Sequence, residues 1–347
     1  MRDAIDLRSD TVTRPTAAMW EAMRAAPLGD DVLGDEPTVN HLQDRVARLL
    51  GKDRACFFPS GTMANQAAIR ASTQPGDEVI AHPSAHVYHY ESGAPAALSG
   101  VTFRFAEGPR GLYTPDALSA CVRPDNHHFA PARLALIENT SNAGGGSVWP
   151  IDLIRDVTAR AREHNLRAHL DGARLWNASA ASGVAPREYA QHFDTVSVCF
   201  SKGLGAPVGS AVAGDEATMA RVFRFRKMFG GAMRQSGMLA AACLHALDHH
   251  TERIAEDHAN AKHFAEALSR MDPLSIDPDA VETNILFVRV DPAWGQASAL
   301  VESLDARGVR CFASAPDQIR MVTHLDVTRP MIDRAIEIIG ECLSVDT

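Results

Sequence analysis

The sequence lacks long hydrophobic runs, and no window approaches the ~20 consecutive apolar residues that a membrane-spanning helix needs. Residues 1–6 have no apolar core of the kind found in signal peptides. Runs of like charge are also missing, and the net charge is −9, which disfavours nucleic acid or an anionic membrane as the main partner. These absences predict a soluble, cytoplasmic protein.

Clustered cysteines are another absence, because the six cysteines are scattered and none forms a Cys-x-x-Cys pair. Disulfide frameworks and zinc sites need such clusters, so reduced core cysteines are the simplest interpretation. No group of other ligands demands a metal ion. The Gly-Lys-Ser/Thr sequence of nucleotide-binding loops and the dinucleotide glycine triplet are missing too, which disfavours a nucleotide-binding protein.

What is present, from about residue 55, is an alternation of short apolar runs with helical periodicity. Strands alternating with helices predict an α/β fold with a mostly parallel sheet. Strands are predicted at 55–58, 79–82, 101–105, 134–137, 167–170, 195–200 and 210–213, and then at 284–290, 309–312 and 320–323. We predict a large domain over residues 1–250, with an N-terminal segment for substrate or interface, and a small C-terminal α/β domain over residues 251–347.

Lys202 directly follows an apolar strand and opens a glycine-rich loop. A buried ammonium is costly unless its pKa falls or it has partners, and flanking glycines let a flat ligand approach. A lysine in this position suits Schiff-base chemistry. Taken alone, however, Lys202 fits a surface lysine at the start of a loop better.

Asp171 falls at the end of the preceding predicted strand, where α/β sheets collect ligand-binding groups. A pyridoxal phosphate (PLP) ring needs a carboxylate against its pyridinium nitrogen, which makes the ring an electron sink. Taken alone, Asp171 fits a helix cap or a magnesium ligand equally well. Strand-end Asp171 followed by strand-end Lys202, one βαβ unit apart, is much harder to explain without such a cofactor.

Two further segments are ambiguous by themselves. Ser60-Gly61-Thr62 follows a strand and opens a helix, whose N–H groups and dipole can hold a phosphate, although a tight turn explains it as well. His86 could stack on a flat cofactor or move protons, although a structural histidine is the commoner case.

Lys227, Arg234 and Arg320 lie in apolar or glycine-rich surroundings. A guanidinium fork matches a carboxylate in two hydrogen bonds, as an amino-acid enzyme requires. Surface arginines are nevertheless commoner than clamping ones.

Taken together, these segments resemble the low-specificity L-threonine aldolases, fold type I (aspartate-aminotransferase-like) PLP enzymes of the beta-eliminating lyase superfamily. The similar blocks run from residue 6 to about 330 and include 6–15, 30–35, 201–205, 233–237 and 322–327. The resemblance implies a large domain whose mostly parallel sheet is flanked by helices, plus a small C-terminal domain. It also implies a homotetramer with sites at subunit interfaces.

The resemblance implies a role toward PLP for seven residues. It assigns the Schiff base to Lys202, the partner of the pyridine nitrogen to Asp171 and ring stacking to His86. Arg174 would lie near the phenolic oxygen of the cofactor, and Ser60-Gly61-Thr62 would hold its phosphate.

Substrate roles are implied for another set. Ser9, Arg234 and Arg320 would receive the substrate carboxylate, with Lys227 as a further substrate-binding candidate. His128 matches a histidine near the substrate hydroxyl, so it joins Lys202 and His86 as a candidate catalytic residue.

The implied activity is cleavage of L-threonine, L-allo-threonine and related β-hydroxy-α-amino acids, such as phenylserine, to glycine and an aldehyde. Leu33, Met63 and Ser141 stand where relatives commonly carry tyrosine, glutamine and histidine, which bears on substrate preference and not on the cofactor. Two alternatives stay open. The same residues could run β-elimination or racemisation, or the chain could be a catalytically silent PLP-binding relative.

Overall fold

The computed structural model describes residues 4–345 of the chain. Its strands are Ile5–Asp6 (β1), Arg54–Phe58 (β2), Glu78–Ala81 (β3), Thr102–Phe105 (β4), Ala132–Glu138 (β5), Arg167–Gly172 (β6), Thr195–Cys199 (β7), Ser210–Gly214 (β8), Leu274–Ser275 (β9), Ile285–Val290 (β10), Val309–Arg310 (β11), Phe312–Ala315 (β12) and Gln318–Val322 (β13).

The α-helices are Ala17–Ala25 (α1), Pro37–Leu50 (α2), Gly61–Ser72 (α3), His86–His89 (α4), Pro115–Cys121 (α5), Ile151–Glu163 (α6), Leu175–Ser182 (α7), Pro186–Ala190 (α8), Glu216–Met228 (α9), Gly237–His249 (α10), Ile254–Leu268 (α11), Ala297–Ala306 (α12) and Arg329–Val345 (α13). None of these helices, within residues 4–345, combines the length and the apolar character that a membrane span requires.

The larger sheet has the strand order β2-β8-β7-β6-β5-β3-β4 among the described residues. Strands β4, β3, β5, β6 and β7 run parallel, and β8 is antiparallel to both of its neighbours. Nearly every position of β5, β6 and β7 is buried, as expected for strands that helices cover on both faces. The predicted mostly parallel central sheet is confirmed, and its parallel strands end at one edge.

Helix α3 packs on this sheet through small residues. Ala64, Ala67 and Ala68 are fully buried and share a cluster with Phe58 and Val212 of the sheet. Short side chains let the helix axis lie close to the strands, which brings the N-terminus of α3 to the same edge at which the parallel strands end. The Ser60 hydroxyl caps this N-terminus by accepting a hydrogen bond from the Met63 backbone N–H at 3.2 Å.

A second, antiparallel sheet has the order β12-β13-β10-β9 in the described part of the chain. Its core includes Phe264 and Leu286, and it also takes in Ile5 and Leu7 from the N-terminal segment. Strand β1 pairs in parallel with β11, so that Ile5 lies opposite Val309. The N-terminal segment therefore packs with the C-terminal core. The domain boundary near residue 250 stays a prediction.

Several elements differ from the sequence-based expectation. The single strand predicted at 309–312 is two strands, β11 and β12, which belong to different sheets. The interruption at Cys311 arises because β11 pairs with the N-terminal β1, a partner about 300 positions away along the chain that local patterns do not reveal. Helices α1 and α2 were not predicted, although Val39, Leu42 and Val46 form an apolar stripe at helical spacing.

Packing of the N-terminal segment into the second core can be tested with Leu7→Ala. Leu7 is fully buried, so we expect a loss of about 2–5 kcal/mol in the free energy of unfolding from the lost contacts and the cavity. Leu98, whose side chain is 43% exposed, provides the control, and Leu98→Ala should change this energy by less than about 0.5 kcal/mol. Urea unfolding followed by circular dichroism measures both. Equal, small losses would contradict the described packing.

Candidate active site

A cavity of about 340 Å³ lies where β5, β6 and β7 end, between the two sheets. Glu138 and Asp171 reach it from the central sheet, and Phe312, Ser314 and Arg320 reach it from the antiparallel sheet. The carboxyl edge of parallel strands is the usual ligand-binding edge of an α/β fold. The cavity also brings together six of the residues predicted from the sequence, namely Ser9, His86, Asp171, Arg174, Lys202 and Arg320.

Lys202 lies in the loop between β7 and β8, and the chain fixes its backbone tightly. Its carbonyl oxygen accepts hydrogen bonds from the Thr13 hydroxyl at 3.1 Å and from the Gly205 backbone N–H at 2.8 Å. Gly205 has a φ of +77° and an added Cβ would lie 2.6 Å from Leu325, so a larger residue does not fit in this turn. The half-buried side chain donates from Nζ to the Cys199 Sγ at 3.6 Å.

The Ser60-Gly61-Thr62 segment does not line the cavity, but it lies beside the lysine. A Cβ added to Gly61 would come within 2.9 Å of the Cys199 Sγ, the atom that accepts from Lys202. Glycine thus leaves room at the N-terminus of α3, where backbone N–H groups and the helix dipole favour an anion. The position next to an amine suits a ligand that carries both a phosphate and an aldehyde.

Asp171 is buried, and its hydrogen-bond partners within residues 4–345 are neutral amides. Oδ2 accepts from the Asn65 Nδ2 at 2.8 Å, and Oδ1 accepts from the Ala173 backbone N–H at 3.1 Å. A buried carboxylate that lacks a cationic partner is costly. A protonated ring nitrogen in the cavity would supply the missing countercharge, so the donor set around Asp171 fits a pyridinium ring.

His86 lines the same cavity and faces several carboxylates. Its Nδ1 lies 3.0 Å from the Glu91 Oε1, and its backbone N–H donates to the Glu138 Oε2 at 2.8 Å. Burial lowers the pKa of His86, but the hydrogen bond to Glu91 and the charges of Asp171, Glu91 and Glu138 outweigh burial and raise this pKa above its ordinary value. His86 therefore holds its proton to a higher pH than a free histidine does.

Several polar residues of the site escaped sequence analysis, and Glu138, Asn65 and Glu91 are the ones that contact His86 or Asp171. Glu138 ends β5 as Asp171 ends β6, and burial, together with the charge of Asp171, raises the pKa of Glu138. The signal was available, because a carboxylate at the end of an apolar strand had already singled out Asp171. Asn65 and Glu91 are buried as well, and Asn65 stands out as a polar residue on the alanine-rich face of α3.

Asp10 and Arg174 form a buried ion pair at the side of the cavity. The Arg174 Nε and Nη2 donate to the two Asp10 carboxylate oxygens at 2.7 and 2.8 Å. Burial opposes the charge of Asp10, but Arg174 outweighs it and holds the pKa of this carboxyl far below its usual range. The Asn284 side chain, one residue before β10, also donates to the Asp10 carboxylate, at 3.2 Å.

Arg320 differs from Arg174, because no carboxylate pairs with it among the described residues. Its Nη1 donates to the Arg8 carbonyl at 3.0 Å and its Nη2 to the Asn142 Oδ1 at 2.9 Å, while its buried Nε has no partner in residues 4–345. Burial lowers its pKa to about 10, and the nearby Arg174 charge contributes. Arg320 is therefore a cation whose charge an anionic ligand of the cavity would balance.

The other predicted residues lie outside the cavity. Arg234 is 61% exposed and pairs with Asp30 at 2.9 Å, and Lys227 is exposed near the end of α9. His128 is exposed in the loop after α5, where its ring lies 3.9 Å from the ring of His127. Their roles, like those of the residues in the cavity, stay predictions.

His86, Glu91 and Asp171 offer ligand atoms within 4.8 Å of one another, a spacing that a cation could use. Their facing atoms already form hydrogen bonds, because Glu91 and Asp171 accept from Asn65 and Glu91 also faces the histidine. This hydrogen-bonded network accounts for the cluster without a metal ion.

The buried ion pair can be tested with Asp10→Ala. Arg174 would keep a buried charge without its carboxylate, so we expect the free energy of unfolding to fall by about 3–5 kcal/mol. Asp152, 75% exposed and paired with Arg155 on the surface of α6, is the control, and Asp152→Ala should cost less than about 1 kcal/mol. Urea unfolding compares the two variants. A loss for Asp10→Ala no larger than that of the control would show that the pair does not stabilise the fold.

Comparisons with known proteins agree with this geometry. Residues 6–291 match the family model described as beta-eliminating lyase. The low specificity L-threonine aldolase of Escherichia coli (strain K12) is 45% identical over 329 residues, which cover 94% of this chain and 96% of the relative.

Solved structures share the fold at lower identity. The threonine aldolase of Leishmania major superimposes with a TM-score of 0.83 at 19% identity, covering 98% of this chain and 99% of that one. A structure of SPT with a PLP internal aldimine gives a TM-score of 0.76 at 17% identity, covering 99% of this chain and 88% of that one. The fold type I architecture is thereby confirmed. The chain belongs to the low-specificity L-threonine aldolase family of the beta-eliminating lyases.

Proposed function

We propose that the protein is a PLP-dependent aldehyde-lyase that cleaves L-threonine, L-allo-threonine and related β-hydroxy-α-amino acids to glycine and an aldehyde. The observation that carries this proposal is the cavity in which Lys202, Asp171 and Arg320 meet. The amine suits the aldehyde of PLP, the buried carboxylate without a cationic partner suits the protonated ring nitrogen, and the arginine without a carboxylate suits the substrate carboxylate. Family membership supports the same assignment.

Three elements would hold the cofactor. Lys202 presents its amine for a Schiff base with the PLP aldehyde, Asp171 would accept a hydrogen bond from the pyridine nitrogen, and the Ser60-Gly61-Thr62 segment at the N-terminus of α3 suits the phosphate. Arg174 is held by Asp10 at the side of the cavity, where the resemblance places the phenolic oxygen. Bound PLP would supply the electron sink for the charge that develops on the substrate Cα.

Protein side chains would direct the bond cleavage. Arg320 binds the substrate carboxylate and so fixes how the bonds at Cα are turned. A base takes the proton of the β-hydroxyl, the Cα–Cβ bond breaks and the aldehyde leaves, and protonation of Cα gives glycine. His86 lines the cavity and is the candidate base, directly or through a water molecule. His128 could contribute only from a neighbouring subunit or after a movement, because it lies outside the cavity.

The rings of Tyr90 and Phe312 line the cavity and are 63% and 48% exposed. They offer an apolar surface to the substrate side chain, which supports acceptance of phenylserine as well as threonine.

Assembly and location complete the proposal. A homotetramer with sites at subunit interfaces would explain why Lys227, Arg234 and His128 are exposed in one chain, since they could serve a neighbouring site. A cytoplasmic location suits the six scattered and buried cysteines.

The reaction type is tested with the PLP-loaded protein and L-threonine, L-allo-threonine and phenylserine. Retro-aldol cleavage releases glycine plus acetaldehyde or benzaldehyde, whereas β-elimination releases ammonia and a keto acid. Lys202→Ala should abolish both turnover and the Schiff-base absorbance, while Lys262→Ala, a surface lysine paired with Asp279, should retain both. 2-Oxobutanoate or phenylpyruvate with ammonia and without glycine, or full turnover in Lys202→Ala, would contradict the proposal.

The carboxylate-binding role is tested with Arg320→Leu. The lost charge-assisted contact should reduce kcat/KM for L-threonine by roughly 10- to 150-fold, the equivalent of the ~1.5–3 kcal/mol assigned to such a bond. The surface variant Arg289→Leu should leave kcat/KM unchanged, since Arg289 pairs with Asp317 away from the cavity. The absorbance of the bound cofactor should persist in both variants. Unchanged kcat/KM in Arg320→Leu would exclude this role.

A further inference from the structure

Glu91 lies two residues beyond the end of the short helix α4, and its side chain is fully buried. In the described part of the chain, His86 is the one ionisable partner with which Glu91 forms an ion pair, at 3.0 Å. A buried carboxylate without arginine or lysine beside it is costly unless several donors converge on it. Burial of the Glu91 carboxylate beside the His86 Nδ1 therefore depends on neutral hydrogen-bond donors.

Three N–H groups point at this carboxylate. The Asn65 Nδ2 lies 3.0 Å and the His86 Nδ1 3.0 Å from Oε1, and the Gln66 Nε2 lies 2.6 Å from Oε2. Asn65 and Gln66 come from α3, which packs on the central sheet, so two of the three donors lie on a rigid element.

The orientation of the Asn65 amide is determined by its surroundings. Its Nδ2 donates to both Glu91 and Asp171, at 3.0 and 2.8 Å, and its Oδ1 accepts from the Ser197 hydroxyl at 2.7 Å. The opposite orientation would place the amide oxygen against two carboxylates, which repel it. Asn65 thus presents one hydrogen to Glu91 and the other to Asp171.

This arrangement decides which nitrogen of His86 carries the proton. An ionised carboxylate accepts hydrogen bonds and donates none, so the His86 Nδ1 must be protonated in the neutral ring as well as in the cation. The remaining nitrogen, Nε2, then carries the lone pair whenever the ring is neutral. Besides Glu91, the ionisable groups that face His86 among the described residues include Asp171 of β6 and Glu138 of β5, both of which favour the cation, and Tyr90, whose ring centroid lies 5.5 Å from that of His86.

We propose that Glu91 is a positioning residue that fixes neutral His86 as the Nδ1–H tautomer and stabilises its charge, so that Nε2 is the proton-accepting atom of the cavity. The inference rests on the proposed function only for what His86 does to substrate. There, Nε2 takes the proton of the β-hydroxyl and the freed O–H electron pair becomes the second C–O bond of the aldehyde. The Cα–Cβ pair goes to Cα, and Glu91 balances the imidazolium.

The first test needs no variant at the carboxylate. Nitrogen NMR of the PLP-loaded protein, labelled in its histidines, reports the tautomer of each neutral ring, and the signal missing from His86→Asn identifies His86. We expect an Nδ1–H ring at high pH. An Nε2–H ring would overturn the proposal, whether or not any variant at Glu91 folds.

The second test compares Glu91→Gln with Glu78→Gln. Glu78 is also a buried carboxylate, paired with Arg123, but it lies at the start of β3, away from the edge that holds the cavity. In Glu91→Gln the titration midpoint of His86 should fall by roughly one pH unit or more, because burial remains while a carboxylate is lost. In Glu78→Gln it should stay at the wild-type value. An unchanged midpoint in Glu91→Gln, or an equal shift in both variants, would overturn the proposal.

The third test is the pH dependence of kcat/KM, which should change in the direction in which the pKa of His86 shifts. Since the neutral ring accepts the proton, the rise of kcat/KM with pH should shift to lower pH in Glu91→Gln, and its plateau should fall about tenfold or more because the tautomer is no longer fixed. A plateau loss without a shift of the midpoint indicates a merely structural role and overturns the proposal. The wild-type protein could show the expected tautomer and titration midpoint of His86 and yet cleave no β-hydroxy amino acid. That result would support the role of Glu91 toward His86 and would exclude the proposed function instead.

Discussion

The buried ion pair of Asp10 with Arg174 is the interaction on which the arrangement of the site depends. Asp10 belongs to the N-terminal segment, and Arg174 follows β6 of the central sheet. Asn284, which precedes β10 of the second sheet, donates to the same carboxylate at 3.2 Å. One fully buried side chain therefore connects three parts of the chain that are far apart in sequence. Because such a pair loses much of its stabilisation when its geometry changes, it restricts how the two sheets lie across the cavity.

The charges around the cavity are separated by sign. Carboxylates of Asp171, Glu91 and Glu138 lie on the side of His86, whereas Arg174 and Arg320 are joined through Asn142, whose Oδ1 accepts from both at 3.3 and 2.9 Å. This separation suits a ligand with a cationic ring and an anionic carboxylate. The two pKa values shift in opposite directions. Burial, together with the charge of Arg174, lowers the pKa of Arg320, whereas the hydrogen bond to Glu91 and the nearby carboxylates outweigh burial and raise the pKa of His86.

Local patterns were sufficient to predict the strands of the central sheet and some of the site residues at their ends, although Glu138 at the end of β5 was missed. Asp171 and Lys202 were found because polar groups at the ends of apolar strands are conspicuous. Contacts between residues that are far apart in the sequence were harder to predict. The split of 309–312 into β11 and β12 depends on pairing with Ile5, and the site role of Asn65 depends on carboxylates that lie 26 and 106 positions away. Such contacts are set by the packing of whole elements, which no short window of sequence contains. Lys227 and Arg234 were singled out as basic residues in apolar or glycine-rich surroundings, and His128 by the resemblance alone, but one chain does not bring them to the cavity.

The pairing of β1 with β11 has a consequence for the order in which the protein folds. Strands β2 to β8 are complete once residue 214 has left the ribosome, and the helices α9 and α10 that pack with them end at Met228 and His249, so the central sheet can form while synthesis continues. The first residues of the chain have to wait, since Ile5 pairs with Val309 and the Arg8 carbonyl accepts from Arg320 across 312 positions. Closing so long a loop is slow compared with local folding. A nascent chain would therefore carry its N-terminal segment, with Asp10, unassembled beside a finished sheet until the last strands emerge.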